Sequence, residues 1–199
     1  MNEDKIAGII LAAGGSKRLG RPKQLLDWFG KPFIVKVIET AKSAGLDPVI
    51  VVTGANYQAI EFAIKDQQVI IQRNNNWELG QSSSMIAGIE ALGKLSVRPF
   101  IYMMCDQPQL PMELLLELFS ESKNAEYDIV TTSVDGKVSP PVLFKPVCIP
   151  DIKKLTGDQG GRVVHNKHRT RAIEWKDDRL ILDSDTEEDY QLLIKSFSH

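Results

Sequence analysis

The chain reads as an α/β protein built on a mostly parallel, Rossmann-like sheet flanked by helices. Three observations carry this reading. Apolar, β-rich runs recur along the first two thirds, helical periodicity fills the gaps between them, and a glycine-rich basic segment follows the first run directly. The runs occupy residues 6–11, 48–53, 69–72, 100–105 and 129–133. Near-continuous apolar strands of this kind suit a sheet covered on both faces, as parallel sheets are.

The elements follow in order. Phe33, Ile34, Val37, Ile38 and Ala41 recur at helical spacing after Pro32 and before Gly45, which predicts a first crossover helix with one face on the sheet. A second helix is expected to start at Asn56, a third to run over 82–95, and a fourth to follow Pro111 through the cluster at 114–119. The expected order is βαβαβαβ. Beyond Asp135, Pro140, Pro141, Pro146 and Pro150 interrupt the chain around 142–144, so a short irregular insertion or lid is expected in the C-terminal third. A last helix carries Tyr190, Leu193, Ile194 and Phe197 on one stripe and returns the chain to the body of the fold. At 199 residues, a single domain over 1–199 is the expectation.

Composition narrows the function. A hydrophobic content of 43% supports a sizeable core. No apolar run approaches the roughly 18 residues of a membrane span. The opening MNEDK has the wrong charge for a signal peptide, so a cytoplasmic protein without a membrane partner is expected. A net charge of -2 removes any general pull toward nucleic acid, so a polyanion must be held locally. Cys105 and Cys148 lack the spacing of a metal cluster or disulfide framework and read as buried small hydrophobes.

The most informative segment is LAAGGSKRLGRPK, residues 11–23. Small residues let the backbone approach a ligand closely, and successive N–H groups form an anion-binding concavity. Lys17, Arg18, Arg21 and Lys23 follow within seven residues. In isolation such a cluster is a solvated basic turn. At the carboxyl end of the first parallel strand it becomes a ligand site, because open α/β sheets bind there. Gly15 and Gly20 have Walker spacing, but Arg21-Pro22 stands where that motif needs Lys-Ser or Lys-Thr, and no GxGxxG is present.

The segment resembles the LAAGxxxRxGxxK signature of the MobA-like nucleotidyltransferases, and within them the molybdenum cofactor cytidylyltransferase branch. The resemblance continues in order through Gly80-Gln81-Ser82-Ser83-Ser84, Asp106-Gln107-Pro108, Pro141-Val142-Leu143-Phe144, Gly157-Asp158-Gln159-Gly160-Gly161-Arg162 and Asp185-Thr186-Glu187-Glu188-Asp189. It implies the nucleotide-diphospho-sugar transferase type of fold. It also implies transfer of CMP from CTP to the terminal phosphate of a molybdopterin-type cofactor, with release of pyrophosphate.

Site residues follow from the resemblance. Leu11, Ala12, Ala13, Gly14, Gly15, Arg18 and Lys23 are expected to bind the nucleoside triphosphate, with Gly80, Gln81, Ser82 and Ser83 near its base. Arg18, Lys23 and Asp106 are the catalytic candidates, and Asp106 with Asp185 are the candidate Mg²⁺ ligands. Asp185 has a structural alternative, since with Glu188 it resembles a capping box for the last helix. The serine run has one too, as a helix N-terminus with serine caps. Asp158 and Arg162 are expected at the acceptor, although Gly157 and Asp158 also suit a helix C-cap followed by an N-cap. Ser139-Pro140 departs from relatives that carry His or Asn beside the following proline. His165, His168 and His199 fall in no motif and are expected at the surface or behind the site. A molybdenum hydroxylase or its maturation chaperone is the implied protein partner. Guanylyl transfer, a sugar or alditol phosphate acceptor, and a non-catalytic cofactor-binding maturation factor stand as alternatives.

Overall fold

A computed structural model describes residues 5–95 and 98–198; residues 1–4, considered above for a signal sequence, and His199 lie outside the described residues. In chain order the elements are β1 (Ala7–Ala12), β2 (Asp27–Trp28), β3 (Lys31–Pro32), α1 (Phe33–Ser43), β4 (Val49–Thr53), α2 (Tyr57–Ala63), β5 (Ile70–Arg73) and α3 (Gln81–Gly93). There follow β6 (Phe100–Met104), α4 (Met112–Glu121), β7 (Ile129–Val134), β8 (Lys137–Phe144), α5 (Ile149–Ile152), α6 (Arg162–His165), β9 (Thr170–Glu174) and α7 (Glu187–Phe197).

Seven strands form one sheet in the order β5-β4-β1-β6-β8-β7-β9, while β2 and β3 make a separate hairpin. All pairings in the large sheet are parallel except those of β8. The mostly parallel α/β fold read from the sequence is therefore the one observed.

β8 corrects the expectation of an irregular insertion after Asp135. Residues read as broken pieces form an eight-residue strand between β6 and β7, antiparallel to both. The prolines are accommodated by a register shift: Thr131 pairs with Val142 and Thr132 with Ser139, so Pro140 and Pro141 bulge out of the ladder. Two residues without N–H donors thus sit where no donor is required. Residues 145–169 carry the short helices α5 and α6 and lead into the edge strand β9, an element beyond those expected from the sequence.

Strand alternation divides the core into two layers. Ile10, Val51, Ile101 and Met103 face α1 and α4, meeting Ile38, Leu114 and Leu118. Ile9, Val52, Phe100 and Tyr102 face α3, meeting Met85 and Leu92 with Phe144. The last helix packs on the hairpin instead of the sheet: Leu193 joins Leu26, Trp28 and Phe33, and Tyr190 Oη donates to the Asp27 carbonyl at 2.9 Å.

Its cap lies one residue later than the motif suggests. Thr186 Oγ1 accepts from Asp189 N at 3.1 Å, and the Asp189 carboxylate accepts from Thr186 N at 3.1 Å. This reciprocal box leaves Asp185 outside the cap. Among the described residues, no helix is long and apolar enough to cross a membrane.

Helix α3 lies flush on β1 and β4 because Gly88 faces them. A Cβ at that position would stand 2.6 Å from Ile9 Cγ2 and 3.3 Å from Val52 Cγ2. Gly88→Val should therefore overpack this contact and lower stability by about 1–3 kcal/mol. The expected sign is a lower urea midpoint at an unchanged slope; an unchanged midpoint would show that the layers are not in close contact there.

Candidate active site

Register gathers the loops. Ala12 pairs with Thr53, Leu11 with Met104 and Thr53 with Arg73, so β1, β4, β5 and β6 end along one sheet edge. The segments after these strands meet there. The glycine-rich loop after β1 is clamped by Gln24, which is buried and donates through Nε2 to the Ala12 carbonyl at 3.0 Å and the Gly14 carbonyl at 2.9 Å. Ser16 closes the loop from the other side, its hydroxyl accepting from Lys23 N at 3.0 Å. Trp77 packs on Gly15: a Cβ there would lie 3.3 Å from the indole ring.

The charged groups of the motifs meet at the loop mouth. Lys23 Nζ lies 3.1 Å from Asp106 Oδ2, hydrogen-bonds Asp185, and stands 3.9 Å from Asp183 Oδ1. Arg18 also pairs with Asp185. Burial would lower the Lys23 pKa, but Asp106 and Asp185 outweigh it and hold the ammonium above the usual lysine value. Burial likewise works against the Asp185 carboxylate, yet Lys23 and Arg18 draw its pKa below the ordinary range. At Asp183 burial and the neighbouring carboxylates of Asp185 and Asp106 win, and its pKa is raised.

Oxygens of Asp106, Asp183 and Asp185 lie within 4.8 Å of one another. Three hard oxygen donors in so small a space suit a divalent cation of the magnesium or manganese type, which would also relieve the crowding that raises Asp183. The donor set therefore fits such an ion.

Two adjoining spaces open from this point. A cleft of about 710 Å³ runs from Gly14, Gly15, Lys17 and Arg18 to Trp77, Gly80, Gln81, Ser84 and Asp158, and Leu11 and Ala13 form part of its floor. A smaller depression of about 260 Å³ holds Lys23, Asp106 and Asp185. Beyond Leu11, Gln81 and Met104 lies a separate cavity of about 280 Å³ walled by Met85, Tyr102, Val142 and Phe144, with Ser139, Arg162 and His165 at its edge.

Several expected residues fall elsewhere. Ala12 is wholly buried in the layer facing α1, so only its backbone reaches the loop. The hydroxyls of Ser82 and Ser83 donate to backbone carbonyls, Ser82 to Gly157 at 2.7 Å and Ser83 to Gly80 at 2.8 Å, leaving Gln81 and Ser84 to line the cleft. They are not helix caps either, because α3 begins after Gly80 without a side-chain cap. Gly157 and Asp158 neither end nor start a helix; Gly157 abuts Gly80, where an added Cβ would come within 2.3 Å of the Gly157 carbonyl carbon. Asp158 lines the cleft and Arg162 the cavity, so the two acceptor candidates lie in different spaces. The Arg162 guanidinium donates to the Val138 carbonyl.

Gln24, Trp77 and Asp183 belong to no motif read from the sequence, and His165, expected at the surface or behind the site, lines the apolar cavity. Asp183 alone carried a legible signal, since Asp183-Ser184-Asp185 on an extended segment can turn both carboxylates to one side. His168 is held against Asp151 at 3.1 Å, away from the charged cluster. Both cysteines are buried, as their composition suggested.

The family model described as MobA-like NTP transferase domain matches residues 8–172. The purine catabolism protein PucB of Bacillus subtilis (strain 168) is 29% identical over 211 residues, spanning 100% of both chains. Nicotine blue oxidoreductase of Paenarthrobacter nicotinovorans is 31% identical over 167 residues, 79% of this chain and 80% of that one. A probable molybdenum cofactor guanylyltransferase of Bacillus mycoides (strain KBAB4) is 28% identical over 136 residues, 68% of this chain and 66% of that one. Among solved structures, Rv0371c of Mycobacterium tuberculosis H37Rv superposes with a TM-score of 0.81 at 26% identity, covering 96% of this chain and 98% of that one. A complex of the same protein with manganese gives a TM-score of 0.81 at 24% identity, covering 96% of this chain and 99% of that one.

The ammonium of Lys23 occupies the space between the carboxylates that a dication would enter. Lys23→Met should therefore raise affinity for Mn²⁺ in the nucleotide-free protein by about tenfold or more, because it removes a unit positive charge a few ångströms from the ion. Electron paramagnetic resonance titration of free Mn²⁺ measures this; unchanged affinity would mean that Lys23 and the ion do not compete.

Proposed function

The chain belongs to the MobA-like NTP transferase family, and from that premise we propose that it transfers CMP from CTP to the terminal phosphate of a molybdopterin-type cofactor, releasing pyrophosphate. The observation that carries this reading is the meeting of Lys23 with Asp106 and Asp185 at the mouth of the glycine-rich loop. A cation and paired carboxylates beside an anion cradle form the arrangement that phosphoryl chemistry uses, in which positioning and charge neutralisation do most of the catalysis.

In this proposal the backbone of Gly14 and Gly15 cradles the triphosphate, and Arg18 and Lys23 turn from the carboxylates toward the α-phosphate and the leaving pyrophosphate. Asp106 and Asp185, with Asp183 beside them, hold Mg²⁺, which when bound supplies further neutralisation of the reacting phosphates. A phosphate oxygen of the acceptor attacks the α-phosphorus in line. As that P–O bond forms, the bond to the bridging oxygen breaks and its electron pair leaves with pyrophosphate. An acceptor phosphate with a second pKa of about 6 is already ionised near neutral pH, so no protein base is required.

Gln81 and Ser84, in a run resembling the cytidylyl branch, offer hydrogen bonds to a base lying in the cleft. The walls of the neighbouring cavity are apolar and aromatic, with few polar groups at the edge. That lining suits a fused heterocycle. A sugar or alditol phosphate would need a denser set of hydrogen-bond partners, which makes it the weaker acceptor reading. Retention of Arg18, Lys23 and the aspartates speaks against a purely cofactor-carrying maturation factor. A molybdenum hydroxylase, or the chaperone that serves it, is the proposed recipient.

The test is pyrophosphate release across the four ribonucleoside triphosphates, each with molybdopterin and with sugar phosphates as acceptors. Turnover is expected with CTP and molybdopterin; turnover only with GTP, or only with a sugar phosphate, would replace this reading. In the same assay Asp106→Ala should lower kcat by about 10²-fold or more while its thermal transition stays near that of the parent. Near-parental activity would remove Asp106 from the site.

A further inference from the structure

We propose that His165 is a specificity-determining residue for the acceptor, its imidazole Nε2 hydrogen-bonding the ring of a planar nitrogen heterocycle seated in the cavity between β6, β8 and α6. This rests on the acceptor reading given above and assigns it a contact.

The cavity has the surfaces such a ring needs. Tyr102 and Phe144 meet edge to face, with centroids 5.8 Å apart and planes at 76°, while Met85 and Met104 add polarisable thioethers. It shares Leu11, Gln81 and Met104 with the nucleotide cleft, so an occupant lies next door to the triphosphate.

One of its polar atoms is buried without a partner. His165 Nε2 is shielded from water and has no hydrogen-bond partner among the described residues. The half-buried Gln81 side chain, on the wall shared with the cleft, donates through Nε2 to the Met104 sulfur at 3.7 Å. Buried polar atoms are ordinarily satisfied, and one left without a partner on the wall of a cavity points to a ligand that completes it.

His165 is also held in place. Its carbonyl accepts from Thr170 Oγ1 at 3.0 Å, and its ring lies 6.1 Å from that of Phe144. Burial, reinforced by the neighbouring Arg162 charge, keeps its pKa below the ordinary histidine value, so the ring is neutral at neutral pH. A neutral imidazole offers one donor and one acceptor, which matches the mixed donor and acceptor edge of a pterin-like ring better than a charged group would. The shift from ordinary histidine behaviour follows from the apolar walls themselves.

The experiment compares the parent, His165→Leu and His165→Gln. Affinity for 6-carboxypterin is read from its fluorescence with CTP and Mg²⁺ present, CTP affinity is measured by calorimetry, and KM and kcat are measured with molybdopterin. His165→Leu is expected to weaken pterin binding, and to raise the acceptor KM, by about 10- to 100-fold, since a buried polar contact is lost. CTP affinity and kcat at saturating acceptor should hold. His165→Gln, which keeps a hydrogen-bonding side chain, should recover most of the loss. Parental pterin affinity and acceptor KM in His165→Leu would overturn the role of His165 while leaving the transferase reading intact. A parent that neither binds pterin nor releases pyrophosphate with molybdopterin would overturn the acceptor reading, and this inference with it.

Discussion

The Lys23 ammonium, wedged between Asp106 and Asp185, is the interaction on which the arrangement of the site depends. It joins the loop after β1, the end of β6 and the segment before α7, which are separated by 83 and 162 positions along the chain. Each partner is only partly exposed, so the pair is screened less than a surface salt bridge and each charge needs the others to remain near the sheet edge. Removing a carboxylate would strand a half-buried ammonium. The same contact sets three carboxylates against Lys23 and Arg18, so a dication and an anionic substrate entering together would each take over the charge partners of the other.

Much of this was legible in the chain, for identifiable reasons. Strand runs that are apolar on both faces can only be covered strands, and the loop after the first of them lies where parallel sheets bind ligands; hence β1, β4, β6 and the placement of Arg18 and Lys23 followed from local pattern, and that of Asp106 from the resemblance. β8 did not. Two consecutive prolines signal a broken chain when read locally, and only the facing strand, with its shift between Thr131 and Thr132, reveals that they bulge out of the ladder. The cap was misplaced by one residue because Asp185 and Thr186 are both good N-caps with an acid three positions on, and local sequence does not choose between them. Gln24, Trp77 and His165 belong to the site through tertiary contacts alone.

Two motifs that look independent in sequence are one junction in the fold. Gly80, at φ 97°, lets the start of α3 press against Gly157, and both the amide and the hydroxyl of Ser82 donate to the Gly157 carbonyl, at 3.1 and 2.7 Å. Any side chain at Gly80 would collide with that backbone. Ser82 is thus used to fix the loop that carries Asp158 and leads to Arg162, while Gln81 and Ser84 line the cleft. A motif's chemistry and its structural duty divide here between adjacent residues.

The two spaces that meet at Leu11, Gln81 and Met104 work by different physics. On one side, the cations and backbone donors of the glycine-rich loop suit an anion by charge, an attraction that would be indifferent to any base the anion carries. On the other, apolar walls surround a buried polar atom without a partner among the described residues, His165 Nε2: an occupant lacking a matching donor or acceptor would leave it unpaired, and a polyol would lose its own hydration without recompense. Under the proposed function, affinity for the phosphates and selection of the acceptor would therefore rest on separate residues. Gln81 is the one polar side chain, among the described residues, that lines both spaces, and under the proposed function it is where the nucleotide and the acceptor would meet the same group.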